Sequence, residues 1–234
     1  VPYVDFSNIR FDGLLSDFIV HAQSVTPALA GKMNLIYGLC GGGVEDCADI
    51  RGDFQFECVD FGTFASLSQL GEGAFQGEYH GTWIGDGLSF NVRSILPWLR
   101  ANKGYVRDIS LALVWENERL DLMTSLEDKN VSGGMVGSYE MNDSLQFASL
   151  KGKLKLDNLD YFGWGLKDGK ECVASEFDLI YAGGGENGFT SLLLSNVEYK
   201  AENDGFKIED IYLEDSRSGK YNVSTISSDV LDLT

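Results

Sequence analysis

The feature that most constrains this chain is the period-two alternation of apolar and polar residues, repeated in short runs along most of its length. DFQFECVDF (53–61), YVRDISLALVWENERLDLMTSL (105–126), EFDLIYAGGG (176–185), FTSLLLSNVEYKAE (189–202) and FKIEDIYLEDS (206–216) all show it. In a strand, successive side chains point to opposite faces, so such runs predict antiparallel sheet with one wet face and one dry face. Glycine is abundant, at 28 residues, and proline scarce, at 3, which suits many tight turns between short strands. The fold class expected is mainly β: antiparallel sheets, as a β-sandwich or an extended twisted sheet, with one or two short helices.

Along the chain, residues 3–11 read as a strand and 12–24 as helix or strand, because Phe11, Leu14, Leu15, Phe18 and Ile19 also fit one helical stripe. GKMNLIYGL (31–39) reads as a strand. Residues 73–94 read as two strands joined near Gly85-Asp86-Gly87, since Asp-Gly is a strong hairpin signal. A short helix is predicted in SILPWLRANKG (94–104). There Ser94 can cap, Pro97 sits early, Arg100 and Lys103 lie late, and Gly104 supplies the stop. A further turn is expected at Glu116-Asn117-Glu118.

The whole chain, 1–234, is read as one exported domain. VDFSNIRF (4–11), LKLDNLDY (154–161) and LLLSNVEY (192–199) share a flavour that suggests an internal duplication, with a boundary near 130–145.

Four cysteines, Cys40, Cys47, Cys58 and Cys172, permit three pairings. Cys40 and Cys47 flank GGGVED and are expected to close a small ring, leaving Cys58 to pair with Cys172. A zinc site would want clustered cysteines or nearby histidines. The only histidines, His21 and His80, are not at ligand spacing from a cysteine. Paired cysteines, an initial Val1 and the sequons at Asn130, Asn142 and Asn222 point to an extracytoplasmic protein: secreted, periplasmic or at the cell surface.

With 36 acidic and 18 basic side chains the net charge is −18. Such a field repels phosphate backbones and anionic lipid, so nucleic-acid binding is not expected. No apolar run reaches the ~20 residues that span a membrane as a helix.

Catalytic motifs are sparse. GGGVED and GGGENG lack the lysine and hydroxyl of a phosphate loop, and no GxSxG elbow occurs. His80 has Glu78 two residues away on the same strand face. Trp83, Trp115 and Trp164 can serve as sugar platforms, and together with His80 they form the candidate ligand-binding set. Asp86, Glu116 and Glu118 lie near two of these rings in sequence, which keeps open a carbohydrate-active enzyme with a carboxylate pair. No cofactor is implied, although the oxygen-rich DNLD (157–160), ENDG (202–205) and LEDS (213–216) would suit calcium. GTWIGDGLSF (81–90) and LALVWENE (111–118) resemble the tryptophan-bearing strands of the avidin family. The later tryptophan strand of that family is not evident and the chain is longer, so no membership is assigned.

The function expected is that of a non-enzymatic exported protein acting through its surface, as an adhesion, assembly or ligand-binding component with a protein or glycan partner. The alternatives are a carbohydrate-active enzyme and a carrier of an apolar ligand in a β cavity.

Overall fold

A computed structural model describes residues 6–26, 28–40, 47–65, 69–85, 87–141, 146–165, 171–183, 187–202, 205–218, 221–228 and 232–233. Its contacts divide the chain into two compact units, Val1–Asn117 and Glu118–Thr234, upstream of the 130–145 stretch suggested by the repeats.

The first unit is a meander of antiparallel strands, β1 (Arg10–Leu14), β2 (Asp17–Thr26), β3 (Leu29–Leu39), β4 (Cys47–Asp60), β5 (Leu70–Ile84), β6 (Gly87–Ala101) and β7 (Gly104–Glu116), with one short helix α1 (Phe61–Ala65). Each strand pairs with the next in sequence. Residues directly opposite share a face, so the register defines both surfaces. One row runs Phe11, Val20, Leu35, Gly52, Tyr79, Val92, Leu113. Its neighbour on the other face runs Arg10, His21, Asn34, Asp53, Glu78, Arg93. The sheet is thus apolar on one side and polar on the other, as the alternation requires.

The second unit repeats this design with β8 (Arg119–Glu127), β9 (Val131–Met141), β10 (Gln146–Leu156), β11 (Cys172–Gly183), β12 (Asn187–Lys200), β13 (Gly205–Ser218), β14 (Tyr221–Ser228) and β15 (Asp232–Leu233). Its apolar face carries the row Leu122, Gly137, Leu150, Leu179, Leu192, Leu213. A helical turn, α2 (Leu159–Phe162), follows β10. Asn158 caps it by accepting from the Tyr161 amide at 3.0 Å, Gly163 ends it at φ 72°, and Phe162 is fully buried beneath it.

How these faces are covered explains the glycines. Many lie inside strands, each against a large side chain of the neighbouring strand, and not in turns as composition suggested. A Cβ at Gly31 would lie 2.6 Å from Phe56, at Gly77 2.8 Å from Phe54, at Gly81 2.8 Å from Phe90 and at Gly152 2.7 Å from Phe177. Each ring therefore lies down over a strand that has no side chain at that point. Further ring contacts, Phe18 to Tyr37 at 4.8 Å and Phe54 to Phe75 at 4.7 Å, extend the cover. Cover is still incomplete. Among the described residues ten apolar side chains are buried while nineteen large ones are exposed, so much apolar surface remains uncovered.

The antiparallel β expectation holds, but two local readings are corrected. Residues 94–104 are not a helix: they form the end of β6, the Asn102–Lys103 turn and the start of β7. Pairing with β5 on one side and β7 on the other overrides the local helix signals. Ser94 does not cap; its hydroxyl donates to the Leu111 carbonyl at 3.3 Å within the sheet. The ambiguous 12–24 segment is the end of β1, a tight turn at Leu15–Ser16 and most of β2. The three repeat strings also differ in structure. The first holds a single bridge at Phe6 and the start of β1, the second runs from β10 into α2, and the third lies wholly in β12, where Asn196 has φ 52°.

Candidate functional site

Cys40 and Cys47 form a disulfide across the end of the β3–β4 hairpin, with Cα atoms 5.3 Å apart. Cys58 and Cys172 are free thiols, which corrects the expected second bridge. A disulfide requires Cα atoms ~4.4–6.8 Å apart. Cys58 sits opposite Ala30 and Cys172 opposite Lys200, so each is seated in a separate ladder. Burial, reinforced by Glu72 and Asp60, pushes the Cys58 thiol above its ordinary pKa. One bridge is consistent with an oxidising compartment. Among the described residues no helix is long and apolar enough to cross a membrane.

Of the sequons, Asn130 is buried, so its side chain is not presented for modification; its backbone N–H donates to the Asp128 carboxylate at 2.8 Å. Asn142 lies outside the described residues, as does the Asn222 side chain.

Within the first unit the predicted ligand residues divide between the two faces of the sheet. Trp83 and Trp115 lie on the apolar face of the first unit, in line with Tyr79 and Phe90 respectively. Trp83 is half exposed, and its indole N–H donates to the Gly85 carbonyl. His80 points to the polar face. Its partner is Asp49, at 2.6 Å from Nε2, and not Glu78. Asp49 is on β4, too distant in sequence for a local reading to find. On the same face His21 Nδ1 is 2.7 Å from Asn34 Oδ1, and Asn34 donates to both Asp53 oxygens. Trp164 belongs to the second unit, stacked on Phe162 at 5.3 Å.

The enzyme alternative placed a carboxylate pair beside Trp83 or Trp115. Glu116 follows Trp115 in β7 and so faces the other way, and Asp86 lies outside the described residues. Of the calcium candidates, Asp157 pairs with Lys155 at 2.5 Å and Asn158 caps α2. LEDS is strand, and part of ENDG lies outside the described residues. Among the described residues no three acidic, histidine or cysteine side chains are grouped to hold a metal.

Two concavities do form, and neither was visible in sequence. In the second unit a depression of about 260 Å³ opens on the apolar face. Two register rows make it: Leu120, Tyr139, Ala148, Tyr181 and, beside it, Leu122, Gly137, Leu150, Leu179. Gly137 and Ala148 are diagonal neighbours in this grid and form the floor. The leucines and tyrosines form the walls, and no charged group lines it. In the first unit a larger cavity of about 660 Å³ is lined by Glu72, Pro97, Trp98, Arg100, Tyr105, Arg107 and Asp108. The signal for both was the cross-strand register, which alternation alone does not fix.

Comparison with known protein families, with curated proteins and with solved structures finds no match.

Proposed function

We propose that this is a non-enzymatic exported binding component that works through the faces of its sheets, and that the second unit takes an apolar chain. The Cys40–Cys47 bridge supports an oxidising location outside the cytoplasm. The observation that carries the binding reading is the depression over Gly137 and Ala148. It is walled by four leucines and two tyrosines, so it offers a polar ligand nothing to orient it. At about 260 Å³ it falls just below the ~300–1,000 Å³ of pockets that hold drug-sized molecules. A slender segment such as an acyl chain fits it, at ~0.8 kcal/mol for each methylene removed from water. Adhesion and assembly draw on the same open apolar faces; the depression favours ligand binding among the three.

The test is a titration with cis-parinaric acid, whose fluorescence rises in an apolar site. Saturable binding is expected at micromolar protein. Ala148→Leu fills the floor and weakens that binding at least tenfold. An unsaturable signal, or unchanged binding by Ala148→Leu, overturns the reading.

A further inference from the structure

The larger cavity of the first unit carries a separate inference, independent of the apolar-chain reading. It is built where β6 turns into β7. The register sets Arg100 opposite Tyr105 and Trp98 opposite Arg107. Alternation sends Leu99, Ala101 and Val106 to the other face, where Ala101 and Val106 are buried. The four remaining side chains form a checkerboard. Each guanidinium has an aromatic ring across the strand and another two residues along its own strand. The two rings meet on the diagonal, Trp98 to Tyr105, at 6.1 Å and 63°.

Pro97 and Asp108 shape one side. Pro97 has no N–H to give the ladder, and the pairing steps from Leu96–Ile109 to Trp98–Arg107 around it. Asp108, directly opposite Pro97, has the left-handed φ of 55° and lies at the cavity rim. On the β5 side, Gly71 makes room for Arg100: a Cβ there would lie 2.3 Å from its Nε.

The charges are the unusual part. In a chain of net charge −18, Arg10, Arg51 and Arg119 each have a carboxylate within 4 Å. Among the described residues Arg93, Arg100 and Arg107 have none, and of these only Arg100 and Arg107 share one cavity. Two planar five-donor forks therefore face one cavity with no carboxylate in ion-pair contact, Arg100 acting on Asp60 only at longer range. Glu72 and Asp108 supply acceptors at the rim, and the two rings supply flat apolar surface.

We propose that this cavity binds an acidic saccharide. The sugar carboxylate pairs with Arg100 and Arg107, the C–H face of the ring lies on Trp98 and Tyr105, and hydroxyls donate to Glu72 and Asp108. A neutral sugar leaves the guanidinium groups unmatched. A simple inorganic anion leaves the rings and the acidic rim unused. The uronate uses every group that lines the site.

Calorimetry on the full chain tests this with trigalacturonate and a hyaluronan tetrasaccharide as acidic probes and galactotriose as the neutral one. At least one acidic probe binds, at least tenfold more tightly than galactotriose, and more weakly at 300 mM salt than at 50 mM. Arg107→Ala and Arg100→Ala each lose at least tenfold, and Trp98→Ala at least fivefold. Arg107→Lys keeps the charge but loses the fork, and also weakens binding. Arg93→Ala, on β6 but outside the cavity, leaves it unchanged. Thermal melts of the same variants confirm that they are folded. Failure of both acidic probes, equal affinity for galactotriose, or wild-type binding by folded Arg107→Ala overturns the proposal.

Discussion

The hydroxyl of Tyr79 crosses Gly52 to reach the next strand but one, donating to the Asn34 carbonyl at 2.9 Å. The ring lies on a strand that has no side chain beneath it: a Cβ at Gly52 would meet the Tyr79 oxygen at 2.6 Å and the Asn34 carbonyl at 2.0 Å. β3, β4 and β5 are thereby tied together by one side chain. Burial pushes the Tyr79 phenol above its ordinary pKa, with Asp53 adding to the effect. Gly52→Ala must displace both the ring and a backbone carbonyl, at a cost of about 1–3 kcal/mol. Tyr79→Phe loses the hydrogen bond alone, about 1 kcal/mol. Urea melts of the two variants check the order, Gly52→Ala being the less stable.

Two thiols, and not zero, are expected to react with a chromogenic disulfide reagent in the denatured, unreduced protein. These are Cys58 and Cys172; reduction raises the count to four. In the native protein Cys58 reacts slowly near neutral pH, because its raised pKa keeps the nucleophilic thiolate scarce, and speeds up as pH rises above the ordinary thiol range. Mass spectrometry after timed alkylation reads both results.

Asp60 makes a pH prediction at the start of α1. Its Oδ2 accepts from the Thr63 hydroxyl at 2.6 Å and its Oδ1 from the Thr63 amide at 3.0 Å. Those bonds hold its carboxyl below the ordinary range, with a smaller contribution from Arg100. A carboxyl lowered on folding adds stability that is complete above its unfolded pKa, near ~3.9, and is lost as pH falls through the lower folded value. Asp60→Ala is therefore less stable than the parent at pH 6. The gap narrows as pH falls through the lowered folded-state value, in melts taken across the acid range.

What was legible and what was not divides by range. Period-two alternation found the β3, β4, β11, β12 and β13 segments, and Gly85 and Gly87 marked the β5–β6 turn. Cys40 and Cys47 are seven residues apart, and their bridge was readable as local chemistry. The 94–104 helix failed because Ser94, Pro97 and Gly104 serve a sheet as readily as a helix. Ser94 faces the apolar side, Pro97 sits where the ladder skips a bond, and Gly104 pairs with Ala101 after a turn at Asn102, φ 51°. Only pairing with β5 and β7 decides between the two. The partner of His80 is likewise set by register, since Asp49 lies 31 residues away on the neighbouring strand. The Arg100–Trp98–Tyr105–Arg107 checkerboard was hidden for the same reason, since a helix over 94–104 would have turned Trp98 and Arg100 to different sides of its axis and left Tyr105 and Arg107 beyond its end.

The most direct measurement compares two variants on adjacent strands of the second unit but on opposite faces. Ala148→Leu fills the depression, whereas Val136→Leu adds bulk to the exposed polar face, one residue from Gly137. The account predicts that parinarate affinity falls at least tenfold in the first and stays at the parent value in the second. Equal effects of the two, or no effect of either, would contradict it.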